Sequence, residues 1–405
     1  MNNFDIFNFN NSLKSRINSL GFEKPTLIQE KSIPLILEGK DVIGLSATGS
    51  GKTIAFGSGA VQKSVRGGGV QVLILTPTRE LAEQVKVSIA QLSNDLKVIA
   101  VYGGVSINPQ FDDLKKAEIV VATPGRFKDH LERGSVDTSN IKMAVLDEAD
   151  RMLDMGFIDD IEDILKQIPG GRQTLLFSAT IPPPIEKLAN KYLDNPSKVV
   201  ATRMVDPSKL RQVYYNVRPN QKLSLLVHLL KNDESDLSMV FCNTRRSVDM
   251  VTQTLKINKV SCTAIHGGFT QNKRSKSLEM FNDRVKGALI CTDVAARGLD
   301  IDSVSHVYNF ELPPDSNSYV HRIGRTARAG KEGLVVNLLD DRDHENFGRI
   351  EQGHSEYNIE RVDLPSFERV KVVNPNSRFG GRSRGGFRGR RSGGKGSGRS
   401  SGRSS

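Results

Sequence analysis

Long apolar runs are absent from this chain of 405 residues. None approaches the ~20 residues that a membrane-spanning helix requires, so no membrane partner is expected. Cysteine is scarce. Cys242, Cys262 and Cys291 are odd in number and lack CxxC spacing, which argues against a disulfide framework or a zinc site. Reduced core thiols of a cytoplasmic protein fit better. The N-terminal MNNFDIFNFN has neither the basic nor the apolar region of a secretory signal. No short internal repeat argues for a solenoid.

What is present is an ordinary globular composition, 37% hydrophobic and 25% charged. Such a length holds about two to three domains, each large enough for its own core. The net charge of +11 is unevenly spread. Residues 378–405 carry eight Arg and one Lys with no acid, which leaves residues 1–377 at about +2. The basic character sits in a Gly/Arg/Ser tail that cannot bury enough apolar surface to fold, so a disordered tail is expected.

Before the tail, short β-branched runs alternate with longer amphipathic stretches. DVIGLS (41–46), VQVLILT (70–76), KVIAVY (97–102), EIVVAT (118–123), MAVLD (143–147) and TLLFS (174–178) form one series. VYYNV (213–217), SMVFC (238–242), VSCTAI (260–265), GALICT (287–292), VSHVYNF (304–310) and GLVVNLL (333–339) form a second. Continuous apolar strands alternating with helices predict parallel sheets covered on both faces. The expected organisation is an α/β domain over 1–203, a linker over 204–211, a second α/β domain over 212–365 and the tail over 366–405.

LSATGSGKT (45–53) follows the first strand and opens a helical pattern. A strand, a Gly-rich loop, Lys-Thr and a helix let backbone N–H groups cradle phosphates at a helix N-terminus. Candidate nucleotide contacts are Ser46, Ala47, Thr48, Gly49, Ser50, Gly51, Lys52 and Thr53. Lys52 would reach the β- and γ-phosphates, and the Thr53 hydroxyl would bind Mg2+. Ser46 stands where the usual pattern begins with Gly.

A second feature sharpens this. MAVLDEAD (143–150) is a buried-strand pattern that ends in Asp147, Glu148 and Asp150. In open α/β sheets ligands sit beyond the carboxyl ends of the strands. One carboxylate there, Asp147, would hold Mg2+. The next, Glu148, would orient and deprotonate an attacking water. Together the two motifs define an NTPase, and its work is left to the remaining motifs.

These motifs resemble the DEAD-box RNA helicases of superfamily 2, from about Phe4 to residue 340. GFEKPTLIQ (21–29) resembles the family's Q motif, which implies that Gln29 bonds the adenine edge and Phe22 stacks on the ring. Phe4 matches the family's isolated upstream aromatic. PTRELA (77–82), Gly103-Gly104 and TPGR (123–126) look like first-domain RNA motifs. The resemblance gives RNA contacts to Pro77, Thr78, Arg79, Gly104, Thr123, Pro124, Gly125 and Arg126. Small residues permit close approach there, and the arginines suit phosphates. SAT (178–180) is similar to the motif that couples hydrolysis to strand separation through hydrogen bonds to the DEAD segment, which places Asp150, Ser178 and Thr180 in a coupling set.

In the second series MVFCNTRRSV (239–248), QNKR (271–274) and TDVAARGLD (292–300) match further family motifs. They imply RNA contacts at Asn243, Arg245, Gly267, Gln271, Arg274, Thr292 and Arg297. Asp293 would contact the ATP ribose, and Asp300, His321 and Arg322 belong to the coupling set. HRIGRTARAG (321–330) resembles the arginine-finger motif, with Arg325 and Arg328 reaching the γ-phosphate. Two departures stand out. Ala327 replaces a usual Gly, and HGGF (266–269) lacks the acid often found after His-Gly.

The resemblance implies two RecA-like domains, ATP and Mg2+ as cofactors, and a monomer that contacts single-stranded RNA and short duplexes through the backbone with little sequence specificity. The basic tail would be an auxiliary RNA contact. Two rival readings remain: an RNA-binding or annealing protein with a clamp-like ATPase, and a DNA-directed translocating helicase.

Overall fold

A computed structural model describes residues 3–46, 49–201, 209–232, 237–283, 286–296, 304–327, 332–354 and 357–373. Two seven-stranded sheets organise them. The first is built from β1 (Val42–Leu45), β2 (Val72–Leu75), β3 (Val98–Val101), β4 (Ile119–Ala122), β5 (Met143–Asp147), β6 (Gln173–Ser178) and β7 (Ser197–Val200). The second is built from β8 (Leu210–Asn216), β9 (Leu237–Phe241), β10 (Cys262–Ile265), β11 (Gly287–Cys291), β12 (His306–Asn309), β13 (Gly333–Leu339) and β14 (Ile359–Arg361). All pairings in both sheets are parallel.

The first sheet runs β3-β4-β2-β5-β6-β1-β7 and the second β10-β11-β9-β12-β13-β8-β14. Replacing each strand by its counterpart seven places on turns one order into the other. Both sheets are buried on both faces, as an all-parallel sheet must be. Along β2, Val72 and Ile74 enter one core cluster while Leu73 and Leu75 enter another. That alternation explains why these strands read as unbroken apolar runs. Among the described residues no helix is long and apolar enough to cross a membrane.

Three expected boundaries are corrected. The edge strands β7 and β14 were absent from the predicted series, because their exposed faces carry polar residues such as Lys198 and Glu360. The second domain begins with β8 at Leu210 rather than at 212; residues 202–208 of the expected linker lie outside the described residues. Residues 366–373 were assigned to the tail, yet they lie against the second domain. Phe367 and Val370 pack on its core, with Val370 N donating to Ser224 Oγ at 3.2 Å and Asn258 Nδ2 donating to Lys371 O at 2.8 Å. The rest of the expected tail, from 374 onward, lies outside the described residues.

Candidate active site

The loop after β1 is braced from two sides. Ser46 N donates to Ser178 O at 3.0 Å, which fixes the start of the loop to β6. On the other side, Thr26 Oγ1 donates to Ser50 O at 2.7 Å and Gln29 Nε2 donates to Gly51 O at 3.0 Å. Gly51 has φ +92°, and a Cβ there would run into the Gln29 amide. Only glycine fits such a position without strain. Gln29 Oε1 also accepts from Thr26 N at 2.9 Å. The amide therefore holds the loop and retains one N–H and one lone pair. Phe22 rests on Phe4, with ring centroids 6.2 Å apart, and Phe4 rests on Phe7 at 5.7 Å.

Lys52 opens the helix Lys52–Lys63, and its buried Nζ donates to Ser46 O at 3.1 Å. The ammonium is thus curled over the loop at the helix N-terminus. That terminus carries no side-chain cap, so its first N–H groups and its positive dipole end suit an anion. Gly49, Ser50 and Thr53 lie around the same turn, while Ala47 and Thr48 lie outside the described residues.

β6 alone separates β1 from β5, so Asp147 leaves β5 at the carboxyl edge that carries the loop. Asp147 is buried, and its Oδ1 has no hydrogen-bond partner. Burial pushes its carboxyl upward, Lys52 pulls against this, and Glu148 adds to the rise. An orphaned buried oxygen is costly. Together with the Thr53 hydroxyl it makes a hard-oxygen donor set, which fits Mg2+ completed by phosphates and water.

Glu148 sits at φ 53°, ψ 51°, the left-handed region, between β5 and the helix Ala149–Asp154. A glutamate there stores strain, as active-site residues often do. Burial alone would raise its carboxyl, but Arg151, Lys52 and Arg325 outweigh burial and hold it below the usual range. Asp150 ties this segment to β6. It donates its N–H to Ser178 Oγ at 3.1 Å and accepts from Thr180 N and Thr180 Oγ1 at 3.0 and 3.1 Å.

The second domain closes on this edge. Arg325 is buried and lies within electrostatic reach of Glu148. Arg151 Nη2 lies 3.3 Å from His321 Nδ1, and Arg274 Nη1 lies 2.8 Å from Glu80 Oε1. Both contacts cross the cleft. Arg322 turns inward instead. It donates to both oxygens of Asp293 at 2.7 and 2.6 Å, to Asn309 Oδ1, to Asn243 Oδ1 and to Glu311 O. Asn243 is held further by donation of its Nδ2 to Leu312 O and its N to Glu311 Oε2. Asp293 and Asn243 thus meet at one buried guanidinium within the second domain. Thr292 caps the short helix after it by accepting from Ala295 N and Ala296 N. Arg297, Asp300 and Arg328 lie outside the described residues, as does the side chain of Gln271.

A groove of about 700 Å3 runs between the domains. The first domain lines it with Pro77, Thr78, Arg79, Gly104, Thr123, Gly125 and Arg126, the second with Gly267 and Arg274. Gly104 has φ +80°, and a Cβ there would strike the Arg79 guanidinium. Pro124 is buried at the first turn of the helix Pro124–Glu132. Arg245 lies beside Gly267, where an added Cβ would stand 3.3 Å from Nη2. At Gly268 an added Cβ would stand 3.0 Å from the His266 ring, a tight contact that the ring would have to yield to.

Sequence reasoning missed several members. Arg151 gave a signal, since it stands three residues after Glu148 at helical spacing. Glu80 lies inside PTRELA but reads as an ordinary helix-start acid. Phe157 and Met155 line the groove with no quoted motif to announce them, while Phe269 and Val294 lie inside HGGF and TDVAARGLD without a role assigned there.

A phosphate-binding loop, a buried acid pair and a basic residue from a second, similarly ordered sheet define an NTPase that works by closing two domains. Residues 26–188 match the DEAD/DEAH box helicase family, and residues 221–330 match the helicase conserved C-terminal domain. The chain belongs to the DEAD-box family of ATP-dependent RNA helicases. It is 43% identical over 375 residues to the ATP-dependent RNA helicase CshA of Listeria monocytogenes, covering 91% of this chain and 72% of that protein. Among solved structures it resembles S. cerevisiae Dbp5 bound to RNA and ADP BeF3, at 28% identity and TM-score 0.81, covering 90% of this chain and 96% of the other. A variant of the same yeast protein bound to Nup159, Gle1, IP6 and ADP matches at 27% identity and TM-score 0.63, covering 88% and 96%.

Proposed function

We propose that this helicase hydrolyses ATP when single-stranded RNA in the groove holds its two domains together, and that the closed groove locally separates short duplexes or remodels RNA–protein complexes. One observation carries the reading: Arg325 of the second domain acts electrostatically on Glu148 of the first, and residues of both domains line one shared groove. Lys52 and the loop 46–53 bind the phosphates, Phe22 and Gln29 take the adenine, and Asp293 takes the ribose. Glu148 orients the attacking water and accepts its proton, which its lowered pKa leaves it ionised to do. Arg325, joined by Arg328, stabilises charge on the transferred phosphoryl group, a contribution of about 10³–10⁵ in related enzymes. Thr53 and Asp147 would hold Mg2+, which would supply positive charge beside the phosphates.

On this reading Arg79, Arg126 and Arg245 contact RNA phosphates, and Arg274 shares its charge between the strand and Glu80. Arg322 acts through Asp293 and Asn243, coupling the ribose contact to the RNA side. The protein works as a cytoplasmic monomer. Steady-state ATP hydrolysis with and without single-stranded RNA tests the reading, comparing wild type with Glu148→Gln. RNA should stimulate the wild type, and the substitution should abolish turnover while ATP still binds. Negligible wild-type hydrolysis with RNA present would leave an ATP-gated RNA clamp instead.

A further inference from the structure

The groove holds more than its phosphate chemistry needs. Arginines and backbone N–H groups are enough to follow a phosphate backbone. Yet Phe157, Met155, Phe269 and Val294 also line it, and Val294 is 57% exposed. Apolar side chains among the arginines of a groove suit an occupant that is itself part apolar. The groove's occupant is already required by Arg79, Arg126 and Arg274 to be anionic. A single-stranded nucleic acid is both, since its bases carry π faces and its backbone carries charge.

Phe269 is the best-held of these side chains. A turn closes behind it, with Phe269 N donating to His266 O at 3.0 Å. The His266 ring supports one side, centroid to centroid 4.1 Å. That ring is itself fixed: Gly268 N donates to Nδ1 at 3.1 Å, which places the proton on Nε2, 3.3 Å from Asp249 Oδ1. Over the Phe269 ring stands Lys273 Nζ, 3.5 Å from the centroid. Lys273 is exposed on the helix Gln271–Asn282, so its hold on the ring is weak and its side chain is free to swing.

We propose that Phe269 is a stacking platform for one nucleobase of the bound strand. Lys273 covers the ring when RNA is absent and moves to a neighbouring phosphate when a base takes its place. The platform rests on the RNA-groove reading above and adds to it a base contact, hence a preference for purines at one position. A purine offers the larger π face.

The sequence contains no tryptophan, so Phe269→Trp introduces the sole indole. Its emission should be quenched by oligo(A) more strongly than by oligo(U). In equilibrium binding, Phe269→Leu should weaken oligo(A) by roughly fivefold or more, the lower end expected for one lost stack. An abasic site scanned along the oligonucleotide should weaken the wild type at one position and leave the Leu variant indifferent there. Flat indole emission and a uniform abasic profile, in protein whose ATPase RNA still stimulates, would overturn the platform alone. Loss of RNA stimulation in the wild type would overturn the groove and the platform together.

Discussion

Ala327 occupies the left-handed region at φ 54°, a conformation that costs an ordinary L-residue about 1–2 kcal/mol. The turn is tight: Gly333 packs beneath it, where a Cβ would stand 2.7 Å from Ala327 N. The residue that resembles a departure from the family pattern is thus the one that carries strain, next to Arg325 and Arg328. Ala327→Gly should stabilise the second domain by about 1 kcal/mol after the entropy that glycine loses. For a domain of this size the melting temperature should rise by about 2–4 °C. A fall in melting temperature would show that the alanine methyl contributes packing that outweighs the strain. The loop 46–53 and the DEAD segment were legible because each residue type there is dictated by its own ligand chemistry. Glu80 was not, because its meaning depends on Arg274 in the other domain, and Phe269 was not, because its neighbours His266 and Lys273 give it a place only once folded.

Among elements, the helix Pro124–Glu132 shows how a groove wall is supported from behind. His130 is fully buried, 2.8 Å from Ser135 Oγ and 3.1 Å from Gln110 Oε1, while Gln110 Nε2 donates to Tyr102 O just ahead of Gly103 and Gly104. Burial first, then Arg126 and Arg133, hold the imidazole below its ordinary value of 6.5. The ring is therefore neutral when folded and takes up its proton more readily unfolded. Stability from this group is complete above pH 6.5 and is lost as pH falls below it. His130→Gln should flatten the decline in melting temperature between about pH 6.5 and 5. Parallel curves for variant and wild type would remove His130 as the cause. Of the four edge strands, β3 and β10 were read from sequence and β7 and β14 were not. A central strand is apolar on both faces, whereas β7 and β14 expose one, and their patterns dissolve into loop-like polarity.

At the scale of the whole molecule, the proposed function has the acid pair and the arginine act only when the two sheets approach, with RNA in the groove as the reason to approach. Each cross-cleft pair seen here, Arg274 with Glu80 and Arg151 with His321, contributes to that closed state. The basic segment 378–405 adds charge without touching the catalytic groups in sequence. Deleting it should weaken RNA binding most at low salt, where a slope of about −0.7 per neutralised phosphate applies to single strands, and should leave hydrolysis without RNA unchanged. Equal RNA affinity of the full and shortened chains at low salt would reduce the segment to a solubilising tail.

All three cysteines are buried in the second domain, and burial raises the thiols of Cys242 and Cys291 well above the range in which they ionise near neutral pH. The native chain is in effect silent to thiol-directed dyes. A surface cysteine added to each domain would then carry a donor and an acceptor fluorophore with no native residue removed. The opening and closing of single molecules can be followed as a distance in the unaltered catalytic machinery.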